Sequence, residues 1–324
     1  MMVNKKVMID ALERKKAGGE VPIWELEFHL WDKFSEGKVI LGREFEKLPE
    51  LDREKALHGN AEIIISVSKA LNFSAVTVPG NYWEIAPGEP AYYWLPQDAR
   101  FKQVKILKEY AGEDLMLIAS CGAIMAMPGA KNYVEFCYKL LDQPEEIDEY
   151  AQNHYQSGVE GAKRLKEAGI EAVYSASDIA DNRGPFFNPE QMDRFILPYL
   201  YKWAEEMKKA GIYSILHSDG NLDPCMEQIA DSGINALQAI DPVAGMDIFK
   251  VSERVKGRLC LCGNVDCGMM VTGPAEKVYE VTGELLRRVK AGGGFVLGAS
   301  NAVQQETPAE NYLEMIRAWK DFGQ

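Results

Sequence analysis

Residues 212–221 read Ile212-Tyr213-Ser214-Ile215-Leu216-His217-Ser218-Asp219-Gly220-Asn221. An apolar run feeds directly into an imidazole, a carboxylate, a glycine and an amide. A strand that ends in chemically capable side chains is the working unit of an α/β barrel, which keeps its active site at the carboxyl ends of its strands. The same arrangement recurs on both sides of this stretch. Short apolar runs at 21–28, 75–78, 115–120, 172–177, 213–217, 236–240, 258–262 and 295–298 each have the length of a buried parallel strand. Helical patterns lie between them. Asn188-Pro189-Glu190-Gln191 offers a capping side chain and a proline at the first helical position, and that helix runs to the basic last turn and glycine of Lys208-Lys209-Ala210-Gly211. Thr272-Gly273-Pro274-Ala275-Glu276 and Thr307-Pro308-Ala309-Glu310 open two more. Eight alternating βα units predict an α/β protein, a single (β/α)8 TIM barrel occupying 1–324.

One stretch departs from this rhythm. Residues 81–96 are rich in aromatics, proline and glycine, with Asn81-Tyr82-Trp83-Glu84 at one end and Ala91-Tyr92-Tyr93-Trp94-Leu95-Pro96 at the other. Following the second strand, they read as an aromatic insertion, a hairpin or lid on the active-site face. Asn81, Tyr82 and Trp83 are then candidate substrate contacts; the alternative is a packed aromatic cover with no ligand.

Composition narrows the function classes. The chain has 324 residues, 47% of them hydrophobic, enough for one large core. A net charge of −13 repels phosphate backbones and argues against nucleic-acid binding. No run has the length of a membrane span. The start, Met1-Met2-Val3-Asn4-Lys5-Lys6, lacks the apolar core of an export signal, and six scattered cysteines follow no disulfide spacing. The expectation is a cytoplasmic enzyme with reduced thiols. A homodimer is the common assembly for such an enzyme.

In a barrel the residues after each strand converge on one mouth. Here they are Glu25, Glu27 and His29; Ser120-Cys121-Gly122; Ser177-Asp178 with Asp181, Asn182 and Arg183; His217, Asp219 and Asn221; Asp241; Cys262-Gly263-Asn264-Val265-Asp266; and Ser300-Asn301. His217 suits a metal ligand, a general base or a neutral donor. A histidine with neighbouring carboxylates can hold zinc or another divalent ion, and can equally be a loop-ordering His–Asp hydrogen bond. Arg183, beside Phe186 in Asn182-Arg183-Gly184-Pro185-Phe186-Phe187, is placed to clamp an anionic group or to form a loop salt bridge. Cys260 and Cys262 alternate on one face of a buried strand, which reads as packing. Cys225 also reads as structural, and His58 and His154 as surface positions on helices. Gly292-Gly293-Gly294 precedes a strand and reads as a helix-to-strand turn.

Several of these segments, in order, resemble the uroporphyrinogen decarboxylase superfamily. They are Ser177-Asp178 through Arg183-Gly184-Pro185, Asn188-Pro189-Glu190, Leu197-Pro198-Tyr199, His217-Ser218-Asp219-Gly220-Asn221, Leu261-Cys262-Gly263-Asn264-Val265-Asp266, Leu297-Gly298-Ala299-Ser300-Asn301 and Glu306-Thr307-Pro308-Ala309-Glu310-Asn311. The resemblance implies a single (β/α)8 barrel and two branches of chemistry. One branch removes the acetate carboxyls of uroporphyrinogen without metal or cofactor. The other moves methyl groups to or from corrinoid proteins, usually with zinc, and includes coenzyme M methyltransferases and the first methyltransferases of O-demethylase systems.

The chain departs from both patterns. The decarboxylase branch carries an arginine-rich signature where this chain reads Trp24-Glu25-Leu26-Glu27-Phe28-His29, and an aspartate after Phe-Ser where this chain has Phe73-Ser74-Ala75. The coenzyme M branch resembles His-x-Cys with a distant cysteine; here His217 is kept, Asp219 takes the first cysteine's place and Asn301 falls near the second. The O-demethylase spacing, counted back from His217, falls on Ile196 and Asp181. The chain thus looks closer to the corrinoid-dependent methyltransferases, with His217, Asp178 and Asp219 as catalytic candidates and His217, Asp181 and Asp219 as metal ligands. Substrate contacts fall to Glu25, Asn81, Tyr82, Trp83, Arg183, Phe186, Asn264 and Asn301. Zinc, a small methyl donor and cobalamin supplied by a partner corrinoid protein complete the expectation. A metal-free decarboxylase or lyase using His217 and Asp178, and a non-catalytic small-molecule-binding barrel, are the alternatives.

Overall fold

Seven parallel strands pair in sequence order: β1 (Ala75–Thr77), β2 (Met116–Ser120), β3 (Ala172–Ala176), β4 (Tyr213–His217), β5 (Ala236–Gln238), β6 (Cys260–Val265) and β7 (Phe295–Ala299). This computed structural model describes residues 4–15, 19–80, 84–86, 88–90 and 92–324. Every strand is buried on both faces, which is why the runs are nearly continuous in apolar residues rather than alternating. Alternate side chains divide between two cores. In β2, Met116 and Ile118 turn into the barrel with Trp24, Tyr174, Ile215, Cys260 and Cys262, while Leu117 turns outward to the helices. The two cysteines therefore pack the barrel interior, as their alternation implies.

The expected first strand at 21–28 is not a regular strand. Leu297 N donates to the Pro22 carbonyl, Trp24 N donates to that of Leu297, and Ser74 N donates to that of Ile23. Single parallel bridges join Ile23 to Leu297 and Phe28 to Val303. The segment thus lies between the sheet's two edge strands, β7 and β1, as an irregular eighth stave. Pro22 has no N–H to extend a ladder. Side chains substitute: the Trp24 indole donates to the Thr77 hydroxyl at 2.9 Å, and that hydroxyl donates to the Glu25 carbonyl at 2.9 Å.

The helices are α1 (Asn4–Leu12), α2 (Glu50–Ala70), α3 (Gln97–Ala111), α4 (Tyr133–Asp142), α5 (Pro144–Ala168), α6 (Leu197–Ala210), α7 (Ala275–Val289) and α8 (Ala309–Phe322), with shorter turns between. Met8, Ala11 and Leu12 of α1 join the inner core. Ahead of α6, the Asn188 side chain accepts from Gln191 N and Gln191 returns the bond to Asn188 N, a reciprocal capping box. One π-helical turn, Met192–Ile196, then leads into α6, which ends at Gly211 in a left-handed conformation.

After β1 a short hairpin pairs Glu84–Ala86 with Glu89–Pro90. Asn81, Tyr82 and Trp83 lie outside the described residues. The described end of the aromatic stretch packs inward. Tyr93 and Trp94 are buried, and the Tyr93 hydroxyl donates to the Thr77 carbonyl at 2.6 Å. His154 is half-buried rather than a surface residue, its ring stacked on Tyr150. The glycine triplet 292–294 sits ahead of β7 and borders a cavity of only ≈ 20 Å³.

Candidate active site

The carboxyl ends of β3, β4 and β5 lie side by side, with Ala176, His217 and Gln238 in one register row. Two residues past β3 stands Asp178, and two past β4 stands Asp219. Asp178 Oδ1 accepts from Asp219 N at 2.9 Å, so the backbone of one loop holds the carboxylate of the other. Ser218 Oγ receives Ile179 N at 3.1 Å, a second tie between the same loops. Gly220 adopts φ +88°, and its N–H donates to Asp241 Oδ2 at 3.1 Å.

His217 is 95% buried, and its ring orientation follows from its neighbours. Nδ1 is hydrogen-bonded to Oε1 of Gln238, its cross-strand partner. The Gln238 amide has only one arrangement that satisfies its surroundings, because its Nε2 donates to the carbonyls of Ala299 and Ser300, both at 3.2 Å. Oε1 must therefore face His217, and Nδ1 must carry the proton. Nε2 then faces two carboxylates, 3.8 Å from Asp178 Oδ1 and 4.0 Å from Asp219 Oδ1. These distances are too long for hydrogen bonds. Asp219 is held from its far side by Asn301, whose Nδ2 donates to Oδ2 at 2.5 Å. Burial raises the Asp219 carboxyl above its ordinary pKa; the His217 ring opposes that rise, and the charges of Asp178 and Asp241 add to it.

Donor atoms of Asp178, His217 and Asp219 all lie within 4.8 Å of one another. Ligand bonds of about 2.0–2.2 Å in a tetrahedral shell set donors about 3.4 Å apart, so the two His217–carboxylate distances of 3.8 Å and 4.0 Å exceed that spacing by about half an ångström. One imidazole and two carboxylates form a donor set of the catalytic rather than the structural kind.

Asp178 and Asp219 line a cleft of ≈ 540 Å³ whose walls also include Asp181, Asp241, Met127 and Arg183, while His217 lies buried behind them. Four carboxylates face one guanidinium. Asp181 is not one of the clustered donors. Its Oδ1 accepts from the backbone of Arg183 at 2.7 Å and Gly184 at 3.3 Å, fixing the turn that carries Arg183 to the wall. Asp178 takes the place expected of Asp181.

The other expected contacts are spread more widely. Phe186 packs against Tyr133, Phe136 and Phe187 in an aromatic group beside the cleft loop. Asn264 donates to the Ile240 carbonyl at 2.8 Å, tying β6 to the loop after β5. Glu25 is buried away from the cleft walls. Its carboxylate accepts from Ala299 N and from the Tyr312 hydroxyl, both at 2.8 Å, and burial pushes its pKa up to about 8. Cys267 Sγ accepts from Asn301 N at 3.1 Å, with burial raising its thiol to about 11.

Gln238 is the site residue that the reading of strand ends missed. Its signal was an amide inside the apolar run Ala236-Leu237-Gln238-Ala239-Ile240, since a buried polar side chain needs a partner. A second polar pair, Glu27 and His29 at 3.0 Å, is buried beneath Tyr92 and Tyr93.

The sequence profile of the uroporphyrinogen decarboxylase (URO-D) family matches residues 98–322. Among curated relatives, a uroporphyrinogen decarboxylase of Carboxydothermus hydrogenoformans is 24% identical over 72% of this chain and 64% of its own length. One of Coxiella burnetii is 27% identical over 48% of this chain and 43% of its own length. The chain thus spans less than two thirds of the length of these relatives. Among solved structures, a methyltransferase from Methanosarcina mazei superposes with a TM-score of 0.72 over 99% of both chains at 18% identity, a likeness of fold. No helix among the described residues is long and apolar enough to cross a membrane.

Proposed function

The chain belongs to the uroporphyrinogen decarboxylase (URO-D) family, and on that premise we propose that it is a methyltransferase that moves a methyl group from a small donor to a partner's corrinoid. The observation that carries the reading is the orientation of the His217 ring, whose Nδ1 is held by Gln238 so that Nε2 stands beside two carboxylates that line an open cleft. The family's decarboxylation needs no metal, so a prepared metal-ligand set favours its other chemistry.

Methyl transfer breaks a methyl–oxygen or methyl–nitrogen bond and forms a methyl–cobalt bond. The electron pair of the broken bond stays on the heteroatom, which is a poor leaving group without a positive charge or a proton beside it. His217, Asp178 and Asp219 would hold a zinc ion, which when bound would supply that positive charge as a Lewis acid. Gln238 keeps His217 in the ligating tautomer. Asn301 holds Asp219 from outside the cluster, so the carboxylate is aimed before an ion arrives. The open side of the cleft leaves room for a corrinoid-bearing protein to reach the methyl group. Charge narrows the donor. Four aspartates against Arg183 disfavour an anionic ligand and suit a neutral or cationic one, such as a methoxyaromatic or a methylamine.

The names of the curated relatives favour decarboxylation of uroporphyrinogen as a second reading. A substrate with eight carboxylates fits poorly among these aspartates. Ala75, where the decarboxylases resemble one another in an aspartate, is packed in the inner core with Trp24.

The test is formation of methylcobalamin from cob(I)alamin by zinc-loaded protein, across a panel of O-methyl and N-methyl donors. The parent is expected to transfer methyl from at least one donor, and His217→Ala to lose both zinc and transfer. No transfer from any donor, with uroporphyrinogen turned over instead, would establish the decarboxylase reading.

A further inference from the structure

Ala299, Ser300 and Asn301, at the end of β7, hold both His217 and Asp219 from behind. The carbonyls of Ala299 and Ser300 accept from Gln238 Nε2, which turns Gln238 Oε1 toward His217. Asn301 Nδ2 holds Asp219. Whatever fixes this short stretch therefore fixes two of the clustered donors.

On the side of segment 21–28, the backbone ladder of β7 stops one step short of it. Leu297 N donates to the Pro22 carbonyl, and Trp24 N donates to that of Leu297. One further step of a parallel ladder would bring Ala299 N to the Trp24 carbonyl and Leu26 N to the Ala299 carbonyl. Two side chains take those places instead. Glu25 Oε2 accepts from Ala299 N at 2.8 Å, and Gln238 Nε2 donates to the Ala299 carbonyl. The segments press together here. A Cβ at Gly298 would lie 2.2 Å from the Trp24 carbonyl oxygen and 3.2 Å from Glu25 Oε2. Glu25 is held in turn by Tyr312 of α8, whose hydroxyl donates to Oε1 at 2.8 Å.

We propose that Glu25 is a positioning residue of this site: its carboxyl replaces a ladder carbonyl at Ala299 and so fixes the stretch through which Gln238 and Asn301 aim His217 and Asp219. The proposal rests on the reading of His217, Asp178 and Asp219 as the reacting cluster, but its test needs neither metal nor turnover. Absence of methyl transfer would count against that reading alone. Because the replacement is a titratable group, the grip on Ala299 depends on pH. Below about pH 8 the carboxyl holds its proton; above it, a carboxylate accepts the same bond more strongly. The titratable groups near it are Tyr312 and Cys267, the latter from the turn after β6, and burial raises both well above that pH. β1 and β7 contribute none.

The test is NMR of isotope-labelled histidine rings in the metal-free full chain. The chain has four histidines, and the signal lost in His217→Ala is that of His217. Its ring-nitrogen shifts should show a step near pH 8. Glu25→Gln retains both hydrogen bonds, so it should abolish the step and keep the tautomer. Tyr312→Phe removes a bond that lowers the Glu25 pKa, so it should move the step to higher pH. Glu25→Leu removes the acceptor of Ala299 N, and the two ring nitrogens should lose their distinct shifts. His58 and His154, on α2 and α5, should respond to none of these changes. A parent without the step overturns the proposal, as does a step that persists in Glu25→Gln. Unchanged His217 shifts in folded Glu25→Leu overturn it as well.

Discussion

A single amide decides what His217 can do. Replacing Gln238 by leucine keeps the volume roughly constant and removes the acceptor that holds the proton on Nδ1. It also strips a donor from the Ala299 and Ser300 carbonyls. Groups behind a ligating histidine typically contribute 10–100-fold to metal affinity. Gln238→Leu is therefore expected to weaken zinc binding by about that factor, measured by competition with a chromophoric chelator. An unchanged affinity would mean that the tautomer is not set by this residue.

Glu25 is a second residue whose behaviour follows from its surroundings. Its ordinary pKa is 4.5, and burial raises it to about 8 in the folded chain, with the Ala299 and Tyr312 hydrogen bonds opposing the rise. The folded state therefore holds this proton more tightly than the unfolded chain does. The resulting stabilisation is complete below about pH 4.5, falls as pH rises and is gone once pH passes about 8. It is worth on the order of a few kcal/mol. Glutamine can accept from Ala299 N and donate to the Tyr312 oxygen, so Glu25→Gln mimics the protonated form. The parent's stability relative to Glu25→Gln should decline from pH 5 to pH 8 and level off above, read from urea midpoints. A constant difference across that window would count against a titrating Glu25.

Between single residues and the whole fold, loops and strand ends set the site's geometry. The loop after β4 presses against the loop after β3 so closely that a side chain at Gly220 has no space. A Cβ there would lie 2.4 Å from the Ala180 carbonyl oxygen, and the φ of +88° is itself unfavourable for other residues. Gly220→Ala should cost more than ~2 kcal/mol of stability. It should also weaken zinc binding, because moving this loop moves Asp219. Urea unfolding and zinc titration of the same variant check both; a stable variant with full zinc affinity would show that the loops tolerate separation. Each such loop contact joins residues far apart in sequence. Strand ends could be read from the chain, but the pairing of Asp178 Oδ1 with Asp219 N could not.

Across the whole molecule, the irregular segment 21–28 carries an unusual share of the burden. It joins β7 to β1 through a few backbone bonds and the indole of Trp24, which is 2% exposed and packs in the inner core. Trp24→Ala removes the indole–Thr77 bond and leaves a large cavity at this seam. The expected loss is about 3–5 kcal/mol, seen as a lower urea midpoint. A loss below about 1 kcal/mol would mean that the seam collapses around the smaller side chain.

The chain by itself determined the architecture and which polar residues stand after its strands. Strand length, apolar continuity and helix caps are local properties, and eight apolar runs with helices between them leave few ways to bury both faces of each strand. That His217, Asp178, Asp219 and Asn301 belong to one mouth follows from their places after strands, and the family resemblance rests on those same segments. Only the tertiary structure decided how they act together. It put Gln238 behind His217 through parallel register, brought Asp178 rather than Asp181 close to His217 and Asp219, and turned Glu25 to Tyr312 instead of the cleft. It also folded Tyr93 and Trp94 into the core, where the sequence left a hairpin, a lid or a packed aromatic cover open. The physical reason is shared: hydrogen bonding and desolvation of buried polar groups depend on neighbours brought in from distant strands, and no local pattern of residues encodes which atom a carboxylate or an amide will meet.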